Sequence, residues 1–171
     1  MKGKLYGVGI GPGDPELLTL KALRVIRESQ VLALPGREPK DTVAYKIVQG
    51  ACPEIEEKEL LAVDMPMTKD PARLAASHDE GAAKVMEYLD RGEQVAFLPL
   101  GDPTVYSTYL YVHKRVEAAG YETEIVSGIT SFCAVAARLN MGLVEKAEPL
   151  HVIPASYQIE EALKLPGTKV L

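Results

Sequence analysis

Val8-Gly-Ile-Gly-Pro-Gly-Asp-Pro-Glu-Leu-Leu-Thr19 decides the fold. The apolar residues up to Ile10 predict a short buried strand. Gly9, Gly11 and Gly13 interrupt it, and a helical pattern begins near Leu17. Glycines between a strand and a helix let backbone approach a ligand with no Cβ in the way. A dinucleotide or phosphate site is the first reading, and the spacing rejects it. In every register of G-x-G-x-x-G the sixth place falls on Pro12, Asp14 or Glu16. No G-K-[ST] follows. Pro12 has no amide to donate, and Asp14 repels a phosphate. The turn is built for close approach to something other than a polyphosphate.

Outward from this turn, apolar runs alternate with helical patterns. Strands are expected near Leu5–Ile10, Val31–Leu34, Glu59–Val63, Gln94–Leu98, Glu124–Val126 and Leu150–Ile153. Helices are expected near Leu17–Glu28, Thr42–Gln49, Pro71–Leu89, Thr104–Ala119, Thr130–Leu139 and Ile159–Lys164. Such alternation implies an α/β fold, a parallel sheet flanked by helices. Ligands of these sheets bind at the carboxyl ends of strands. Three expected strand ends carry unusual residues: Gly9–Asp14, Pro99–Val105 and Ser127–Ser131. Gly167-Thr-Lys-Val-Leu171 reads as the start of a further strand, so a truncated second domain is expected. The domain reading is 1–128 for the first α/β domain and 129–171 for the start of the second.

The 171 residues suffice for one ordinary domain with part of another. A formal charge of −5 argues against a general nucleic-acid surface. Cys52 and Cys133 have no metal-ligand spacing, so neither a disulfide scaffold nor a metal site is expected. No apolar run approaches a membrane span, and a soluble cytoplasmic protein is the default reading.

Within the second loop, Leu98-Pro-Leu-Gly-Asp-Pro-Thr-Val-Tyr-Ser107, the plainest role of Asp102 is to cap the next helix. Thr130 or Ser131 is likewise expected to cap the helix that follows. His78, His113 and His151 are isolated in sequence and read as surface or helix-face residues rather than catalysts. Met65-Pro-Met-Thr-Lys-Asp70 is unusual, with two methionines at a strand exit before a helix start. Its plain reading is a loop packed on its own core.

The three loops, in this order and spacing, resemble the tetrapyrrole methylase family. That resemblance implies the class III methyltransferase fold and methyl transfer from S-adenosyl-L-methionine, with S-adenosyl-L-homocysteine as product. Leu100–Thr108, Met65–Asp70 and Ser127–Phe132 are most similar to the branch that methylates the meso carbon C(20) of precorrin-2 or cobalt-factor II, in cobalamin biosynthesis. The alternatives are a sister activity such as uroporphyrinogen III methylation, or a non-catalytic cofactor- or tetrapyrrole-binding chain. Ser127 departs from the family pattern, which usually has proline before the glycine. Family members also run on for roughly a further third, completing the second wall of the cleft.

The resemblance implies that Gly11, Pro12, Leu100, Gly101, Asp102, Val105, Thr130 and Ser131 line the cofactor cleft. It implies a tetrapyrrole substrate and a homodimer, with no metal ligands, nucleic acid or membrane involved. Asp102 is the candidate to take the proton lost from the methylated carbon. Arg37, Lys40, Lys69 and Arg73 are candidates to face the substrate carboxylates, or are ordinary surface charge.

Overall fold

The computed structural model describes residues 1–154 and 159–170. It divides into two compact units, Met1–Ile129 and Thr130–Leu171.

The first unit is a five-stranded sheet: β1 (Lys4–Val8), β2 (Val31–Pro35), β3 (Glu59–Val63), β4 (Val95–Phe97) and β5 (Glu122–Val126). Its order is β3-β2-β4-β1-β5, and every pairing is parallel. β2 shows why a fully buried sheet is favoured here. Val31, Leu32, Ala33 and Leu34 are all inaccessible to solvent, a continuous apolar run of the kind that needs cover on both faces. Alternation then sorts them. Leu32 and Leu34 join one core with helices α1 (Leu20–Glu28) and α2 (Val43–Ala51). Val31 and Ala33 join the other with α3 (Pro71–Asp90) and α4 (Tyr109–Ala118).

Helices α1, α2 and α3 each bury one stripe and begin at a local side-chain cap. On α1, Ala22, Val25 and Ile26 face the core, the i, i+3, i+4 spacing of an amphipathic helix. The Thr19 hydroxyl accepts the Ala22 amide at 3.0 Å, so the helix begins at Leu20 rather than Leu17. Pro15–Leu17 forms a separate 3-10 turn, with Asp14 accepting the Glu16 amide.

The largest departure from expectation is in α4, expected from Thr104 but starting at Tyr109. Tyr106 has φ of 49°, which no right-handed helix accommodates. Residues 104–108 form an irregular turn, and only Tyr109 onward is helical.

The second unit contains α5 (Ser131–Arg138), β6 (Leu150–Val152), α6 (Ile159–Ala162) and β7 (Thr168–Val170). β6 and β7 pair in parallel. The expected strand at 150–153 and the strand signal after Gly167 are both present.

The topology marks one place on the first sheet. β1 and β4 are neighbours, yet β1 leads into α1 on one face and β4 into α4 on the other. The two connections part there, leaving the crevice at strand ends where open α/β sheets bind ligands.

Candidate functional site

The loops leaving β4, β1 and β5 meet at this crevice. The Gly11 amide donates to the Gly101 carbonyl at 3.2 Å, and the Gly101 amide returns a bond to the Gly11 carbonyl at 2.8 Å. The Ile10 amide donates to the Pro99 carbonyl at 3.3 Å, and the Gly9 amide to the Val126 carbonyl at 2.9 Å. The β1 loop is thus laced to both neighbours by backbone alone.

Gly9 and Gly128 permit this closeness. A Cβ on Gly9 would lie 2.7 Å from both the Gly101 oxygen and the Gly128 Cα, inside van der Waals contact. A Cβ on Gly128 would run into the same Gly101 oxygen. Gly101 itself has φ of 65°, and a Cβ there would meet only the Ile129 oxygen, at 3.8 Å. That is ordinary contact, so among the described residues the space beside it is nearly open.

Asp102 fastens the third loop to the second. One carboxylate oxygen accepts the Thr104 amide at 2.8 Å and the Thr104 hydroxyl. The other accepts the Gly128 amide at 2.9 Å. Burial alone would raise this carboxyl. The bonds from the Thr104 hydroxyl, Thr104 amide and Gly128 amide together outweigh burial and hold it below its ordinary value of 3.8. Asp102 is therefore an anion at neutral pH with both oxygens engaged. It caps the 102–105 turn, where the Val105 amide donates to its carbonyl, and not helix α4 as the sequence suggests.

The structure therefore brings Gly11, Gly101 and Asp102 together, with Pro12, Leu100 and Val105 in the same two loops. Pro12 and Val105 are half-buried. Leu100 is 49% exposed, a large apolar side chain left uncovered. Thr130 and Ser131 belong to the second unit, at the start of α5. Thr130 occupies the position before the helix but makes no capping hydrogen bond, contrary to expectation. Its hydroxyl is buried and, among the described residues, has no partner. Ser131 lines a groove of about 330 Å³ within its own unit.

Other sequence candidates have different surroundings. Arg37 pairs with Asp64 at 3.0 Å. His78 is buried rather than superficial, and it stacks on Tyr111 with ring centroids 4.5 Å apart. Burial, then Arg115, holds His78 below its ordinary value, with Asp79 opposing. Nδ1 of His113 is 2.9 Å from the Tyr109 hydroxyl. Met65 packs against the core, as expected of its loop, whereas Met67 is fully exposed. No group of His, Cys, Asp and Glu among the described residues is arranged to hold a metal ion. No helix among them is long and apolar enough to cross a membrane.

Sequence reading missed Gly128 and Thr104 as the partners of Asp102. Both sit in loops the motifs already marked, but nothing local shows that residues 102 and 128 touch.

The family described as Tetrapyrrole (Corrin/Porphyrin) Methylases matches residues 4–170. A protein of Methanocaldococcus jannaschii named probable cobalt-precorrin-2 C(20)-methyltransferase is 42% identical over 159 residues, covering 92% of this chain and 66% of the relative. The Salmonella typhimurium cobalt-precorrin-2 C(20)-methyltransferase is 35% identical over 175 residues, covering all of this chain and 73% of the relative. A crystal structure of uroporphyrin-III C-methyl transferase from Thermus thermophilus, complexed with S-adenyl homocysteine, superposes with a TM-score of 0.63 at 25% identity. That match covers 88% of this chain and 54% of the other.

Proposed function

The chain belongs to the tetrapyrrole methylase family and has its class III methyltransferase fold; from that premise we propose that it methylates the meso carbon C(20) of precorrin-2 or cobalt-factor II in cobalamin biosynthesis. The chain spans 66% and 73% of the two C(20)-methyltransferases it matches. We propose further that it works as a homodimer in the cytoplasm. We also propose the domain reading of 1–128 and 129–171.

The observation that carries the reading is the interlock of three strand-end loops around Gly101, with open space beside it and no phosphate-binding spacing. S-adenosyl-L-methionine, when bound, supplies a methyl group activated by a sulfonium. Its adenine, ribose and carboxylate need hydrogen bonds and apolar cover but no phosphate cradle. Gly11, Pro12, Leu100, Gly101 and Val105 are proposed to hold it, together with Thr130 and Ser131. The uncovered Leu100 fits a ligand that has an apolar part.

The chain's own contribution is positioning. Reciprocal bonds between Gly11 and Gly101 fix the backbone that faces the ligand. Asp102 fixes the third loop through Gly128. Asp102 is also proposed as the acceptor of the proton lost from the methylated carbon. A carboxylate held below its ordinary value is a weak base. A proton leaving a carbon conjugated with a cationic ring system is acidic enough for one.

Incubation with S-adenosyl-L-methionine and either precorrin-2 or cobalt-factor II, followed by mass and NMR analysis, tests the reading. A single new methyl at C(20) is expected, and the preferred substrate identifies the metal state. Methylation of uroporphyrinogen III alone would assign the sister activity. Binding of S-adenosyl-L-homocysteine without turnover of any tetrapyrrole would assign a non-catalytic chain.

A further inference from the structure

A second concavity in the first unit opens at the carboxyl end of β3. It has a volume of about 420 Å³, and its lining includes Met65, Met67, Lys69, Leu74, His78 and Thr108. We propose that this cleft receives the edge of a flat, anionic macrocycle, with Lys69 pairing with a peripheral carboxylate and the two methionines and Leu74 covering the apolar ring. The proposal rests on the tetrapyrrole reading and names residues that recognise that substrate.

Its position links it to the glycine loops. All five strands are parallel, so the β3 exit lies on the same sheet edge as the exits of β1, β4 and β5. Thr108, on the cleft wall, ends the loop that begins at Leu98 and carries Gly101 and Asp102. One connected segment serves both places.

The chemistry suits an amphipathic ligand. Met67 is fully exposed, and Leu100 and Tyr106 are 49% and 66% exposed. Met67 and Leu100, in strand-end loops of one edge, thus present apolar surface to water. Methionine is unbranched and polarizable, and it adapts to flat, irregular surfaces. His78 lines the cleft and is stacked on Tyr111 with their planes 5° apart.

Charge supplies the sign of the partner. Lys69 is exposed and, among the described residues, has no ion-pair partner. The neighbouring Asp70 is committed elsewhere, accepting the Ala72 and Arg73 amides at 3.0 and 3.3 Å as the cap of α3. Asp64 is held by Arg37. In a chain of net charge −5, an uncommitted ammonium beside an apolar cleft selects a ligand that is apolar in body and anionic at its rim.

The test is titration of the chain with uroporphyrin III, a soluble polycarboxylate tetrapyrrole, followed by fluorescence. Lys69→Glu is expected to weaken binding about tenfold, and Met67→Ser about fivefold. Lys46→Glu, on α2 and the opposite face of the sheet, makes the same charge change and is expected to have little effect. Both cleft variants should keep their thermal midpoint and their affinity for S-adenosyl-L-homocysteine, because neither residue is buried. Equal uroporphyrin binding by wild type, Lys69→Glu and Met67→Ser overturns the cleft assignment while leaving the tetrapyrrole reading intact. Equal weakening by Lys46→Glu and Lys69→Glu also overturns it, by showing a general charge effect. Absence of uroporphyrin binding by the wild-type chain overturns both.

Discussion

Replacing Asp102 by asparagine should unlock the second and third loops without changing the size of the side chain. The carboxylate serves three donors: the Thr104 amide, the Thr104 hydroxyl and the Gly128 amide. An asparagine has one oxygen and one NH2 group. If its oxygen faces Thr104, its NH2 meets the Gly128 N–H, donor against donor. If it flips, its NH2 meets the Thr104 N–H, and only the Thr104 hydroxyl can turn to accept. Either way one backbone amide loses its acceptor, and the remaining bonds lose the assistance of a full charge. The loss is about 1–2 kcal/mol, near the lower end for a partly exposed charged acceptor. For a chain of this size it lowers the thermal midpoint by about 2–8 °C. Gly128 is then free to back away from Gly101, so affinity for S-adenosyl-L-homocysteine should fall with stability. Calorimetric unfolding and ligand titration on the same preparation measure both. An Asp102→Asn protein with unchanged midpoint and unchanged affinity would refute the reasoning. Loss of turnover far beyond the loss of affinity would support Asp102 as the proton acceptor.

Gly101→Val should reduce affinity for S-adenosyl-L-homocysteine at least about tenfold, since a β-branched residue at φ of 65° is strained and fills the open space beside Gly101; NAD should show no comparable binding to the parent chain, and titration calorimetry checks both. Thr19→Ala removes the α1 cap and should cost about 1 kcal/mol in denaturant unfolding while leaving that affinity unchanged. Glu124 bonds to Lys21 and Lys4, at 2.7 Å each, and these hold its carboxyl down to about 2 from an ordinary 4.5. A carboxylate depressed in the folded state contributes stability above its unfolded value, and that contribution is lost as pH falls through the folded one. The stability gap between the parent chain and Glu124→Gln should therefore be full at pH 7 and shrink between pH 4.5 and 2; a gap constant over that window would rule this out.

The alternation of strands and helices was legible because its causes are local. Val31–Leu34 reads as a buried strand from four apolar residues in a row. The caps at Thr19, Thr42 and Asp70 accept amides within three residues of themselves. The start of α4 was misread for an equally local reason that has no clear mark in the residues. Thr104–Thr108 contains no glycine, and the left-handed turn falls on Tyr106, a residue type that seldom adopts it. His78 lies on a helix face, one of the two readings, and its burial was not legible because it comes from Tyr111 and the packing of α4 on α3, which lie far along the chain.

By itself the sequence determined the α/β class, the three strand-end loops and the exclusion of a phosphate-binding turn. Those follow from hydrophobic periodicity and from the spacing of glycines and prolines within a dozen residues. Only the tertiary structure decided what the loops do to one another. The order β4-β1-β5 sets residues 11, 101 and 128 side by side, although they are separated by up to 117 positions in the chain. It made Asp102 a lock on the Gly128 amide rather than a helix cap, and it hollowed a cleft beneath the methionines at the end of β3. The physical reason is that hydrogen bonds and steric exclusion act over a few ångströms of space. A chain records distance along itself, and only the packing of the sheet converts one into the other.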